Sequence, residues 1–417
     1  MRIAVIGAGI IGITTAYELA TDGHEVTVFE RRSAAAEETS FANAGLIAPG
    51  YVTPWAAPGM PLKVLKHLLS RHAPVKLSMP LSVDELRWIW RWFRACNVDT
   101  FKANRGHLQR LAFYSRERLH AITNELRLEY DRSDGCLVLL RSQEDRQMVE
   151  SSLQVLRDAG VAFSEIGMPG AQLIEPALNT DTPFFGAIHL PEDEVGNCRQ
   201  FALLLKTEAQ RLGVQFAFNS NVAQINHIHG PALVVAGAKA PRHFDAIVMC
   251  AGLPSLQLLN TVGLRVQMAA IYGYSISAPI REPINAPRSA IMDERYKVAI
   301  SRLGNRVRVA GSAEIGGSLS QHRESSIQTL YKVLHDWFPG ATAKSASVQV
   351  WKGARPMLPD RPAMIGESAI SGLWLNVGHG SSGWALSCGS ARALADQMAG
   401  RSPALDMAGF AAARLRA

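Results

Sequence analysis

The run Gly7-Ala8-Gly9-Ile10-Ile11-Gly12 places three glycines at the spacing that lets a main chain close around a pyrophosphate. Gly7 permits a tight turn, Gly9 lets the diphosphate approach backbone N–H groups, and Gly12 lets the following helix pack closely on its strand. Glu30 follows eighteen positions past Gly12. There a carboxylate accepts hydrogen bonds from a ribose 2′-hydroxyl and repels a 2′-phosphate. The chemistry is dinucleotide binding. A second run, Gly378-His379-Gly380-Ser381-Ser382-Gly383, opens another helix whose N-terminus would face anionic atoms. His379 either contacts cofactor atoms there or serves as a neutral structural imidazole.

The elements that must hold these residues recur at three separated places. Arg2 to Ile6 reads as an apolar strand, Ile10 to about Asp22 as a helix, and Glu25 to Phe29 as the strand that delivers Glu30. Farther on, a helical pattern from Arg199 to Leu212 leads to strand-like Val214 to Phe218. The apolar stretch from Phe244 to Cys250 then meets the small-residue turn Ala251-Gly252. Near the end, Gly372 to Val377 is a strand entering the Gly378 turn, with a helix from Trp384 to about Ala399.

This order predicts an α/β chain with a discontinuous Rossmann-like cofactor domain built from 1–74, 196–270 and 351–417. The inserts 75–195 and 271–350 form an α+β substrate domain with a mainly antiparallel sheet, including strands at Tyr296 to Ile300 and Arg306 to Ala310. Nicotinamide enzymes usually carry one contiguous cofactor domain. A closing turn far down the chain suits a longer cofactor gripped at both ends, which points to FAD, with the helix near Gly383 aimed at the flavin ring.

Composition narrows the class further. With 417 residues, 47% hydrophobic and 19% charged, the chain has room for two well-buried cores. The five cysteines show no Cys-x-x-Cys spacing and the twelve histidines no His-Glu-x-x-His, so reduced thiols and no metal are expected. No run of eighteen apolar residues occurs. Met1-Arg2 leads directly into a strand, and a cytoplasmic location is expected.

The net charge of +7 is spread along the chain without a nucleic-acid module. It gathers at Lys63 to Lys76 and Arg87 to Arg94. In Leu62 to Leu69, Lys63, Lys66 and His67 alternate with Val64, Leu65 and Leu68. Trp88, Trp90, Trp92 and Phe93 sit among Arg87, Arg91 and Arg94. Such segments suit helices lying on an anionic bilayer, where a quinone is within reach, or internal helices with solvated arginines.

Longer strings are more specific. Ser40-Phe41-Ala42-Asn43-Ala44-Gly45, Pro49-Gly50-Tyr51 and Pro54-Trp55-Ala56-Ala57-Pro58-Gly59 resemble the bacterial FAD-dependent, quinone-linked D-amino-acid dehydrogenases, within the wider D-amino-acid and glycine oxidase family. The resemblance continues through Arg71-His72-Ala73-Pro74, Leu190-Pro191-Glu192-Asp193-Glu194 and Trp351-Lys352-Gly353-Ala354-Arg355-Pro356-Met357 with Pro359-Asp360, so it covers essentially the whole chain.

The resemblance implies non-covalent FAD and oxidative deamination of a D-amino acid. It also implies electron transfer to a quinone or other respiratory acceptor, and the basic-aromatic segments above are the candidates for peripheral association with the cytoplasmic face of the inner membrane. It makes Arg355 the substrate-carboxylate clamp, although an arginine there can also pair with Asp360 or cap a buried carbonyl. Tyr51, Tyr272, Tyr274 and Tyr296 are candidates to line the substrate pocket. Cofactor contacts are expected from the first unit with Arg31, from Ser40, Asn43, Ala44 and Gly45, from Val222, Ala251 and Gly252, and from Gly378 through Gly383.

Three departures leave the substrate side chain and the acceptor open. Tyr272-Gly273-Tyr274-Ser275 stands where the resembled enzymes read Lys-Gly-Tyr-Ser, Pro359-Asp360-Arg361 replaces Pro-Asp-Gly, and Ser381-Ser382 replaces Thr-Leu. A D-proline or D-hydroxyproline dehydrogenase, an oxygen-using amino-acid oxidase, and a non-catalytic FAD-binding subunit are the alternatives.

Overall fold

Three stretches of chain far apart in sequence meet in one six-stranded sheet. In the computed structural model, which describes residues 1–67, 70–343, 347–360 and 362–412, the strand order is Met364–Glu367, Leu373–Val377, Ala246–Met249, Arg2–Ile6, Glu25–Phe29 and Gln215–Ala217. All neighbours are parallel except the first pair. Ile3, Ala4 and Val5 are buried on both faces of the sheet, as their continuous apolar run requires. Leu68, Leu69 and Arg361 lie outside the described residues.

Helices Ile10–Thr21, Cys198–Arg211, Gly383–Met398 and Val98–Leu126 share one core against this sheet. The last comes from the insert assigned above to the substrate part, yet its Leu108, Leu111, Ala112 and Ile122 pack with Ile13 and Leu386. Helix Gly383–Met398 is apolar nearly all round and must be covered on every side. A Cβ at Gly389 would stand 2.8 Å from the Ser115 backbone, so the two helices meet almost main chain to main chain.

The second sheet is larger and mainly antiparallel. Its path runs Gln349–Met357, Ala269–Pro279, Arg306–Ile315, Val298–Leu303, Ala290–Asp293, Ser133–Leu140, Gly186–Val195 and Leu46–Ile47, with Val75–Leu77 and Ser164–Ile166 added at its sides. Helix Glu324–Trp337 covers one face through Leu330, Val333 and Trp337. The other face turns toward the Rossmann-like part.

Two strands cross the boundaries drawn from sequence: Gln349–Met357 and Leu46–Ile47 pair within the large sheet, not the cofactor sheet. The pairing partner decides this, and local pattern does not carry it. Tyr296 also lies before, not within, its expected strand, in the turn joining Ala290–Asp293 to Val298–Leu303. A small antiparallel sheet of Val222–Asn226, Ala232–Val235 and Arg242–His243 completes the strands. Among the described residues no helix is long and apolar enough to cross a membrane.

Candidate active site

A cleft of about 2430 Å³ lies between the two sheets. At one end stands the first glycine turn. Gly7 has φ +105°, and a Cβ there would lie 2.8 Å from the Cys250 carbonyl oxygen on the neighbouring strand. Gly9, Ile10 and Ile11 line the cleft. Gly12 does not line it; a Cβ on Gly12 would fall 1.8 Å from the Gly7 oxygen, so its place is in the helix-to-turn packing.

Glu30 braces this turn. One carboxylate oxygen accepts from the Ala8 N–H at 2.7 Å and the other from the Arg32 N–H at 2.8 Å, while the residue faces the cleft. Arg31, also on the wall, pairs with Glu38 at 2.5 Å. The Ile10 N–H, an unpaired donor of the helix start, is taken by the Ser40 hydroxyl at 3.0 Å.

The strand-free segment around 39–45 is strapped to the large sheet and to helices of the Rossmann-like part. Thr39 donates to the Ala354 carbonyl at 2.8 Å, Ser275 to that of Ala42 at 2.8 Å, and Ser301 to that of Ala44 at 2.7 Å. Arg308 donates to the Asn43 carbonyl and Trp384 to that of Gly45, both at 3.2 Å, while the Asn43 side chain accepts from Gly45 N–H. These donors escaped the sequence reading. Their signal was serines on strand positions that otherwise alternate with apolar residues.

Val222, Ala251 and Gly252 line the same cleft, with Gly252 at φ +59°. At the far end Gly378 and Gly380 adopt φ +81° and +57°, and Ser381, Ser382 and Gly383 complete the wall. Glycine turns at both ends, an anion-ready helix start and a ribose-facing acid fit a long dinucleotide such as FAD. Cys250 also faces the cleft, but burial pushes its thiol up to about 12, so it is a neutral group and a poor nucleophile.

His379, within this turn, lines the cleft and is buried, with Nε2 at 3.1 Å from the Ser390 hydroxyl. Burial pulls its pKa down to about 3, so the imidazole is neutral at working pH. The unfolded chain would take up a proton below about pH 6.5 that the folded chain refuses. Stability is therefore whole above that pH and is lost as pH falls toward 3, by about 1.4 kcal/mol per unit. Equilibrium denaturation between pH 7 and 5 is expected to show this slope, and His379→Gln to remove one proton's worth of it. An unchanged slope in the variant would contradict the buried neutral assignment.

Arg355 comes from strand Gln349–Met357 and crosses Gly273, where any Cβ would sit 2.3 Å from its guanidinium. It donates to the Ser312 carbonyl at 2.9 Å. Among the described residues no carboxylate pairs with it; Asp360, the candidate partner, does not. Burial without an anion pulls its pKa down to about 10, which leaves it cationic at neutral pH. A half-buried guanidinium without a counter-ion on a cleft wall is a receptor for a carboxylate.

The four tyrosines are placed differently. Tyr272 does not line the cleft. Its neighbour Gly273 faces Arg355, so alternation turns Tyr272 to the opposite face, where the Lys352 ammonium lies 4.6 Å from its ring centre. Lys352 pairs with Glu314 at 2.8 Å, with both side chains buried, and so carries a cation close to the position where the resembled enzymes have one. Tyr274 touches the cleft, but its hydroxyl is committed to Glu314. Tyr296 lines the cleft beside His72 and lies under Arg141.

Tyr51 lines the cleft with its hydroxyl donating to Glu294 at 2.6 Å and accepting from Lys297 at 3.0 Å. Burial, with Glu294 beside it, raises its pKa. Sequence reasoning missed Glu294 and Lys297, since a turn glutamate and lysine look like ordinary surface residues.

Residues 2–397 match the FAD dependent oxidoreductase family. A D-amino acid dehydrogenase of Bradyrhizobium diazoefficiens is 40% identical over 98% of this chain and 97% of that protein. One from Cereibacter sphaeroides is 40% identical over 98% and 94%. Among solved structures, glycine oxidase from Geobacillus kaustophilus superposes with TM-score 0.77 at 20% identity, covering 98% of both chains. L-proline dehydrogenase from P. horikoshii superposes with TM-score 0.71 at 16% identity, covering 96% and 94%. Those two likenesses concern the fold.

Proposed function

The chain belongs to the FAD-dependent oxidoreductase family, and we propose that it dehydrogenates D-amino acids at Cα, passing the electrons to a quinone. The observation that carries this reading is the Arg355 guanidinium, free of any carboxylate partner among the described residues and aimed into the cofactor cleft. Non-covalently bound FAD supplies the hydride acceptor. Arg355 binds the substrate carboxylate through its planar fork and so fixes Cα. Gly273 leaves room for the guanidinium, and Trp88, Trp92 and Met292 supply apolar wall that excludes water. The substrate reacts as the neutral amine, so no side chain takes a proton from Cα, and water hydrolyses the released imino acid to a 2-oxo acid and ammonia.

The quinone reading is supported by the outer faces of two helices. Met60–His67 and Val83–Ala95 wall the cleft with Val64, Trp88 and Trp92. On the outside they expose Leu62 (74%), Leu65, Val83, Leu86, Trp90 (61%) and Phe93 beside lysines and arginines. That arrangement suits contact with an anionic bilayer at the inner membrane.

Turnover of D-alanine with a soluble quinone analogue is expected to give pyruvate and ammonia in equal amounts with little peroxide. Stoichiometric peroxide would assign the chain to the oxygen-using oxidases. Each basic residue near an anionic surface contributes about 1 kcal/mol. Replacing Lys63, Lys66, Arg87 and Arg91 by glutamine is therefore expected to weaken co-sedimentation with phosphatidylglycerol vesicles roughly 1000-fold. Unchanged partitioning would remove the membrane reading and leave the dehydrogenation untouched.

A further inference from the structure

The turn Glu294 to Lys297 lines the same cleft as Arg355. Ala299 and Ala310 pair across their two strands and both line the cleft. Beyond that pair, a Cβ at Gly311 would lie 3.0 Å from the Lys297 carbonyl, so Lys297 borders the residue before Ser312, whose carbonyl receives Arg355. Lys297 and Arg355 both line the cleft.

The backbone here is unusual on both sides. Lys297 has φ +52° and Ser312 φ +61°, and a Cβ at Gly311 would meet the Lys297 carbonyl at 3.0 Å. The fold holds a lysine in the left-handed region at a spot where the neighbouring strand leaves no room for a side chain on Gly311. Such a position is retained where the surroundings determine it.

Hydrogen-bonding capacity then decides what the cluster offers a ligand. The Tyr51 hydroxyl donates to one oxygen of Glu294, and the other oxygen pairs with Lys297. The Glu294 side chain is 5% exposed, whereas that of Lys297 is 51% exposed. Of its three ammonium protons, one goes to Glu294 and one to Tyr51. The third is directed at no protein acceptor among the described residues. The accessible chemistry is a cationic donor held in place by a carboxylate and a phenol.

Resting on the reading of Arg355 as the carboxylate clamp, we propose that Lys297 is a specificity-determining residue that recognises an oxygen acceptor on the substrate side chain. The favoured substrates are D-amino acids ending in a carboxylate or carboxamide, such as D-glutamate and D-glutamine, over aliphatic ones of similar length. Glu294 and Tyr51 are positioning residues that fix the ammonium.

The test compares kcat/KM for D-glutamine and D-glutamate with that for D-norvaline in the wild type, Lys297→Met and Lys297→Arg. A charge-assisted hydrogen bond of this kind corresponds to about a tenfold preference. The wild type is expected to show it, Lys297→Met to lose it through KM, and Lys297→Arg to keep most of it. Binding supplies an independent readout: glutarate perturbs the flavin spectrum of the wild-type holoenzyme with a lower Kd than butyrate, and Lys297→Met levels the two. Equal changes for all three substrates, or no preference in the wild type, would overturn the assignment. A wild-type flavin reduced by no D-amino acid would instead overturn the function on which it rests.

Discussion

Arg355→Ala is expected to lower kcat/KM for any D-amino-acid substrate by roughly 1000-fold or more, since two charge-assisted hydrogen bonds to a desolvated carboxylate contribute about 4 kcal/mol together. The flavin content should not change, because among the described residues Arg355 hydrogen-bonds only the Ser312 carbonyl and takes no part in the glycine turns. Arg355→Lys keeps the charge without the planar fork and should fall between the two. Stability separates a binding role from a structural one. Among the described residues the guanidinium has no carboxylate partner, so Arg355→Met is expected to melt no lower than the wild type. A structural ion pair would behave oppositely: its loss would lower Tm and leave the kinetics of the surviving protein near normal. Steady-state kinetics and thermal denaturation on the same preparations decide between these outcomes.

Gly12→Ala is expected to produce a protein that does not retain FAD. Its Cβ would fall 1.8 Å from the Gly7 carbonyl, a backbone atom in the turn, so the helix start has to move by more than 1 Å. That movement opens the turn whose N–H groups would receive the diphosphate of FAD. The ratio of flavin to protein absorbance should drop at least about tenfold, with a lower Tm. Gly23→Ala is the control. It sits at φ +81° with nothing within 4 Å of the added methyl, and its cost is expected to be about 1 kcal/mol of strain with normal flavin content. Full occupancy in Gly12→Ala would contradict the close-packing role given to that glycine.

What could be read from the chain follows from where information is local. The cofactor sheet was legible because a glycine turn, a continuous apolar strand and an acid carry fixed spacings, and because the same signature recurs near Gly252 and Gly378. Strand membership at the edges of the large sheet was not. Leu46–Ile47 is two residues long and is a strand only because Val195 and Glu194 lie beside it. Gln349–Met357 borders the cofactor segments in sequence and pairs with Ala269–Pro279 in space.

The site divides in the same way. The glycine turns announce themselves by type and spacing, and Arg355 through the resemblance its Gly-x-Arg-Pro string carries. Tyr272 is expected in the pocket because its segment could border the domain interface, yet it lies off the face occupied by Gly273 and Arg355. Glu294 and Lys297 have no sequence signal at all. They matter through a fold that sets a turn lysine beside Gly311, next to the Ser312 carbonyl that receives Arg355. Lys352 shows the same limit, since a charge absent at position 272 reappears from the adjacent strand.

The central claim is tested most directly by anaerobic stopped-flow absorbance of the purified holoenzyme mixed in turn with D-alanine, L-alanine, D-proline and cis-4-hydroxy-D-proline. Rapid bleaching of the oxidised flavin band by D-isomers, with L-alanine inert, is the predicted result, and the order of rates separates primary from secondary amines. A flavin band that none of the four bleaches would contradict the account and make the chain an FAD-binding subunit without its own substrate.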